Sequence, residues 1–140
     1  MTTTTTLAEA HRILRTVQDA WNAAARHWDA QALAAVYTAD ALFFGGRPGH
    51  AVGTEAIRAY FASYDGVIEC AAMTLVEQAV IVLGPEGFLA QGHAEFDFVL
   101  TGRGASASRL RTTLLLAGTP QGWKIRQHHF SPVPAQPPLG

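Results

Sequence analysis

The chain has a single cysteine, Cys70, in 140 residues, so no intrachain disulfide can form and a four-cysteine zinc site is excluded. Charge is scarce too: charged residues make up 15% against 49% hydrophobic, which leaves few charges to cover a monomer's surface and implies a homo-oligomer. Lysine and arginine form no cluster and the formal net charge is -1, which argues against a nucleic-acid partner or an anionic membrane surface. No apolar run approaches the roughly 18 residues of a membrane span. The opening Met1 to Thr6 is not a basic segment leading into an apolar one, so a cytoplasmic location is expected. The His-x-x-x-His and His-Glu-x-x-His spacings of helical zinc sites are missing. So are a serine nucleophile elbow, a phosphate loop and a dinucleotide fingerprint, and neither a metal nor a cofactor is expected.

What is present fits one domain with one core. Residues 1–6 read as a flexible start, 7–131 as a single domain and 132–140 as a proline-rich tail. Thr6-Leu7-Ala8-Glu9 has capping-box spacing, and Ile13, Leu14, Val17, Trp21, Ala24, Ala25 and Trp28 recur at helical intervals behind it. Asp29 can cap a second helix that runs to about Tyr37, and Ala41 to Phe44 read as a short strand. Gly45-Gly46-Arg47-Pro48-Gly49-His50 is a loop suited to a pocket rim or lid. Thr54 can cap a third helix to about Tyr64. From there the period drops to about two. Strands are expected near Ala71 to Leu83, Phe88 to Leu100, Ala105 to Ala117 and Gly122 to Ser131, paired as antiparallel hairpins. Helices first and a meander afterwards describe an α+β domain.

The last strand carries Trp123, Arg126, His128 and His129. Plain alternation puts Lys124, Arg126, His128 and Phe130 on one face and Trp123, Ile125, Gln127 and His129 on the other, so the adjacent histidines point opposite ways. A strand bulge, common on bent sheets, reverses such parity.

Four local motifs in this order resemble the nuclear transport factor 2-like superfamily: Ala20-Trp21-Asn22-Ala23-Ala24, Asp29 to Ala41, Gly53-Thr54-Glu55-Ala56-Ile57-Arg58-Ala59-Tyr60-Phe61, and the ending from Gly122-Trp123-Lys124-Ile125 to Pro134. The ending is similar to the SnoaL-like branch and to the association domain of calcium/calmodulin-dependent protein kinase II. The resemblance implies a ketosteroid isomerase-like, cystatin-like fold: a cone-shaped, bent, mainly antiparallel sheet around a long N-terminal helix, with a pocket inside and homodimers through the outer sheet face. True ketosteroid isomerase chemistry is not implied, because its base position falls at Gly45, its tyrosine donor at Trp21 and its acid donor near Arg111.

The same resemblance aligns Arg111 and His93 with pocket positions. The expected site therefore has Arg111 holding a negative oxygen and His93 moving a proton, assisted by His128 or Asp97. Trp21, Tyr37, Phe43, Tyr60 and Phe130 form apolar walls, Glu95 faces the cavity, and His50 lies at the mouth. The small-molecule ligand would be a mostly apolar carboxylate or enolizable carbonyl, and the activity that of a cofactor-independent lyase, isomerase or cyclase. Alternation alone leaves the His93-Glu95-Asp97 face equally readable as solvated surface, and an Arg111 pair with Glu95 or Asp97 remains a structural alternative. The competing class is a non-catalytic ligand-binding or assembly module.

Overall fold

A computed structural model describes residues 5–139. The elements are α1 Leu7–Ala25, α2 Ala30–Ala34, β1 Tyr37–Phe44, β2 Ala51–Val52, α3 Thr54–Ala62, β3 Ile68–Gly84, β4 Gly87–Leu100, β5 Gly104–Thr119 and β6 Gly122–Pro132. Thr6 caps α1, its Oγ1 accepting from the Glu9 N–H at 3.1 Å. Of the flexible start expected over residues 1–6, residues 1–4 lie outside the described part. Thr5 and Thr6 are held, Thr5 by donating to the Pro85 carbonyl at 2.9 Å.

The buried residues of α1, Ala10, Leu14, Val17, Trp21 and Ala25, follow one another at three- and four-residue steps and make a single stripe. Trp28 does not extend that stripe as a helical residue. Its φ of 49° is left-handed, and the bond from the Asp29 N–H to the Ala24 carbonyl at 3.0 Å closes the helix behind it. Burial of the indole and its N–H bond to the Phe61 carbonyl at 3.0 Å offset the strained backbone.

The second helix stops at Ala34, so Tyr37 opens a strand instead of ending a helix. Gly53, with φ of 86°, takes the N-cap place of α3 that Thr54 was expected to hold, and α3 ends at Ala62, before Tyr64. The two-residue β2 directly follows the loop and pairs with β1.

The sheet order is β2-β1-β6-β5-β4-β3. The four long strands form the expected antiparallel meander, while β1 joins β6 in parallel and makes the sheet mixed and open. Two bulges decide which side chains face α1. At Glu77, φ 54°, the inward set on β3 changes from Ala71, Met73 and Leu75 to Val80 and Val82. Gly92 on β4 lies under this bulge, where a Cβ would come within 2.5 Å of the Glu77 carbonyl oxygen. The second bulge falls at Arg126, so Ile125, His128 and Phe130 all face inward. That corrects the plain alternation, which put Ile125 and His128 on opposite faces and Arg126 beside His128.

Strand β3 is a sheet edge, and α1 covers part of its free backbone. The Asn22 amide accepts from the Met73 N–H at 2.7 Å and donates to the Met73 carbonyl at 2.9 Å. Gln18 accepts from the Leu75 N–H at 2.8 Å. Side-chain amides here stand in for a neighbouring strand and blunt the edge.

Candidate functional site

Between the C-terminal half of α1, helix α3 and the inner face of β4, β5 and β6 lies a cavity of about 370 Å³. Its walls are Trp21, Trp28, Phe61, Val67, Ile68, Phe96, Phe98, Leu100, Leu110 and Phe130, with Tyr60, Tyr64, Ser106 and Ser108 supplying hydroxyls. No carboxylate, guanidinium, ammonium or imidazole is among them. The volume falls in the range that holds small organic ligands, roughly 300–1,000 Å³. Edge-on aromatic contacts set the walls: Trp21 meets Phe61 and Phe96 at centroid distances of 6.3 and 5.9 Å.

The glycine-rich loop forms the rim, as its composition predicts. The Gly46 N–H donates to the Tyr60 hydroxyl oxygen at 2.8 Å. Arg47 donates to the Ser63 carbonyl at 3.1 Å and lies 4.2 Å from the centre of the Tyr64 ring. A Cβ on Gly45 would collide with the Tyr60 hydroxyl, so only glycine lets the loop lie this close to α3. Burial raises the Tyr60 pKa, so its phenol stays protonated.

Behind the cavity wall runs a buried polar chain. The Trp21 Nε1–H donates to the Tyr37 hydroxyl at 3.3 Å, and that hydroxyl is 2.8 Å from His128 Nδ1. Burial keeps the Tyr37 phenol protonated by raising its pKa. Burial, helped by neighbouring His129, lowers the His128 pKa to about 3. The imidazole is therefore neutral at ordinary pH. Its Nε2 is buried without a partner, as is Thr112 Oγ1.

The expected site residues divide between two faces. Trp21, Tyr60 and Phe130 line the cavity. Tyr37, Phe43 and His128 are buried one layer behind it, with Phe43 5.5 Å from Phe130 and 5.8 Å from His128 between ring centres. His93, Glu95, Asp97 and Arg111 do not face inward. On β4 the buried positions are Phe88, Ala90, Ala94 and Phe96, so the alternate set points to the outer face. His93 pairs in register with Arg111 there.

On that outer face Arg109, not Arg111, binds the acids, at 3.0 Å to Glu95 and 3.2 Å to Glu77. His93 Nδ1 is 3.5 Å from Glu77. The inward placement of His93 and Arg111, implied by the family resemblance, does not hold, and for His93, Glu95 and Asp97 the solvated-surface alternative is the one found. A charged side chain costs far less in water than in a core, and the strand's own apolar alternation already marked the other side as inner. His50 also leaves the cavity mouth: it stacks on exposed Phe44 at 4.3 Å, beside His129.

Sequence reasoning missed Trp28, Phe61, Tyr64, Phe96 and Phe98 as wall residues, although all are aromatic, and it missed Ser106, Ser108 and Thr112. The usable signal was the even-numbered run Ser106, Ser108, Leu110, Thr112, Leu114 and Leu116, which carries no charge while Arg109 and Arg111 alternate with it.

The family described as SnoaL-like domain matches residues 14–136. No curated protein matches the chain. Among solved structures, one provisionally named as a calcium/calmodulin dependent protein kinase II association domain from Xanthomonas campestris is similar, with a TM-score of 0.79 at 20% identity over 97% of this chain and 99% of that one. A provisionally named aromatic ring hydroxylase from Novosphingobium aromaticivorans has a TM-score of 0.77 at 21% identity, covering 94% and 93%. A nuclear transport factor 2 superfamily protein from Salmonella enterica has a TM-score of 0.71 at 19% identity, covering 94% and 99%. At these identities the likeness is one of fold. Among the described residues no helix is long and apolar enough to cross a membrane.

Proposed function

The chain belongs to the SnoaL-like domain family, and we propose that it takes an uncharged, largely apolar ring compound into the cavity between α1, α3 and the sheet. The observation that carries this reading is a ligand-sized, aromatic-walled space whose lining residues bring neutral hydroxyls and no carboxylate, guanidinium, ammonium or imidazole. A carboxylate ligand would be desolvated against walls that hold no cation, since Arg111 lies on the opposite face and Arg47 stays at the rim, bound to Ser63 and over Tyr64. The ligand class inferred from sequence thus narrows to its neutral, carbonyl-bearing part.

The enzymatic form of this reading is a cofactor-independent lyase, isomerase or cyclase. His128, its ring fixed by Tyr37, would move the proton only for a ligand that reaches past Phe130, which packs on the imidazole at 4.9 Å between ring centres. The absence of any carboxylate, imidazole or ammonium group from the wall favours a second reading, a non-catalytic binding module.

Thermal denaturation with indane, 1-indanone and 1-naphthoate tests the binding claim. The two neutral rings should raise the melting temperature and the carboxylate should not. Leu110→Trp, which fills the cavity, should abolish both shifts. A shift from the carboxylate alone would overturn the reading. Exchange of the α-protons of 1-indanone into deuterated water, followed by proton NMR, separates enzyme from binder: catalysed exchange that His128→Phe removes supports proton transfer, and binding without exchange supports the module.

Assembly is a separate proposal. Exposed Leu42, Phe44 and Val52 lie on β1 and β2, at the other end of the sheet from the Arg109, Glu95 and Glu77 charges, and this apolar patch supports a homodimer through the outer face, to be checked by sedimentation. A cytoplasmic setting, expected from the sequence, is a separate proposal.

A further inference from the structure

The outer face of the sheet carries a groove of about 420 Å³ across β4, β5 and β6, on the far side from the aromatic cavity. Gln91, His93, Arg111, Thr113, His129 and Ser131 line it, and no acid does. The strand register explains how six polar side chains meet there. Arg111 lies opposite His93 on β4 and opposite Ser131 on β6, and one outer-face step along, Thr113 lies opposite Gln91 and His129. Residues directly opposite in antiparallel strands have Cβ atoms roughly 4.5–5.5 Å apart. Arg111 therefore has polar neighbours on both sides and on the diagonals.

The charges of this face leave Arg111 without a partner. Arg109 takes Glu77 at 3.2 Å and Glu95 at 3.0 Å. Asp97 lies four residues beyond His93, about 13 Å along the strand. Among the described residues Arg111 forms no ion pair, and its guanidinium keeps its charge and its five N–H donors. The neighbours add further donors. The Gln91 amide donates to Thr113 Oγ1 at 3.0 Å, so the Thr113 hydroxyl keeps its own proton to give elsewhere. His93 turns Nδ1 toward Glu77, 3.5 Å away, which leaves Nε2 for the groove. An imidazolium there gives one proton to Glu77 and one to a ligand.

We propose that this groove is a second ligand site, for a phosphate group, either free or carried on a small organic molecule. Donors on three strands surround one guanidinium, so they suit an anion whose oxygens point in several directions. A carboxylate presents two oxygens in one plane, whereas a phosphate group presents three strong acceptors on a tetrahedral centre. Arg111 holds two of these oxygens through its fork, and the Thr113 hydroxyl and the imidazoles of His93 and His129 meet the rest. The groove volume falls in the range of small-molecule sites, roughly 300–1,000 Å³, which leaves space for an organic part. The two sites are independent, since the sheet separates them.

The test is an NMR titration of backbone amides in the full chain, with inorganic phosphate replacing chloride at constant ionic strength, because salt screens exposed charge. Phosphate should give saturable shifts centred on residues 91–93, 111–113 and 129–131. Arg111→Gln should weaken binding about tenfold or more, the worth of a charge-assisted contact, and Thr113→Val about threefold, the worth of one neutral hydrogen bond. Lys124→Gln, which removes a cation outside the groove, should leave the affinity unchanged, and melting curves should show all three variants folded. Glycerol 3-phosphate separates the two sources: tighter binding than inorganic phosphate assigns the groove to a phosphate ester, and equal or weaker binding to the free ion. Shifts that never saturate, or equal weakening by Arg111→Gln and Lys124→Gln, would overturn the site and leave only screening of surface charge. A second copy closed over this face would exclude phosphate, and that result also overturns the site while the homodimer stands.

Discussion

The two faces of the sheet use similar residue types to opposite ends. On the inner face a histidine is stripped of water, kept neutral and tied to a tyrosine and a tryptophan. On the outer face His93 sits half-buried beside Glu77 in a network with Arg109 and Glu95. The energetic consequences differ because water screens the outer charges, whereas no solvent reaches the inner ring. A histidine's chemistry is thus set by its side of the sheet, not by its neighbours in sequence.

The sharpest break in this contrast comes from removing an inner aromatic. Trp21→Ala deletes a residue 1% exposed that supports Phe61, Phe96 and the Tyr37 hydroxyl. It should cost about 3–5 kcal/mol in urea denaturation and abolish ring binding. A loss like that of an exposed substitution would show that the inner layer is not the core.

Acid comes next. His128 is depressed from 6.5 to about 3 by burial, so between those values the unfolded chain takes up a proton that the folded chain refuses. Stability should be complete above pH 6.5 and fall as the pH drops toward 3, by about 1.4 kcal/mol per unit from this group. His128→Phe should flatten that part of the profile. An unchanged slope in the variant would assign the acid sensitivity elsewhere.

The smallest effects belong to the outer face. Glu95→Ala should cost less than about 1 kcal/mol, and less again in high salt, because the pair with Arg109 is half exposed. Arg111→Ala should leave the affinity for 1-indanone unchanged by calorimetry. A tenfold loss there would return Arg111 to the ligand site and erase the contrast between the faces.

Much of the fold was legible because it rests on local chemistry. The capping box at Thr6 and Glu9, the apolar stripe through Leu14, Val17 and Trp21, and the break between the strands expected to end at Leu83 and to start at Phe88 each act within a few residues. The site was less legible. Trp21, Tyr60 and Phe130 were recognisable as aromatics on buried periodicities, but Trp28 entered the wall through a left-handed backbone turn that no helical period signals. His93 and Arg111 face outward because charge is held at far less cost in water than in a core, a cost that a family position does not carry.

Periods and turns that the chain carries locally sufficed for the class of fold, the order of the three helices and five longer strands, the hairpin pairing of the last four strands and the opposite facing of His128 and His129, but not for the short β2. The tertiary structure alone decided which face was inner beyond each bulge, joined β1 in parallel to β6, and brought Tyr37 to His128 across 91 residues. A bulge at Glu77 or Arg126 is one extra residue whose effect on parity depends on the strand it meets. Contacts of that range are fixed only when the whole sheet closes over α1.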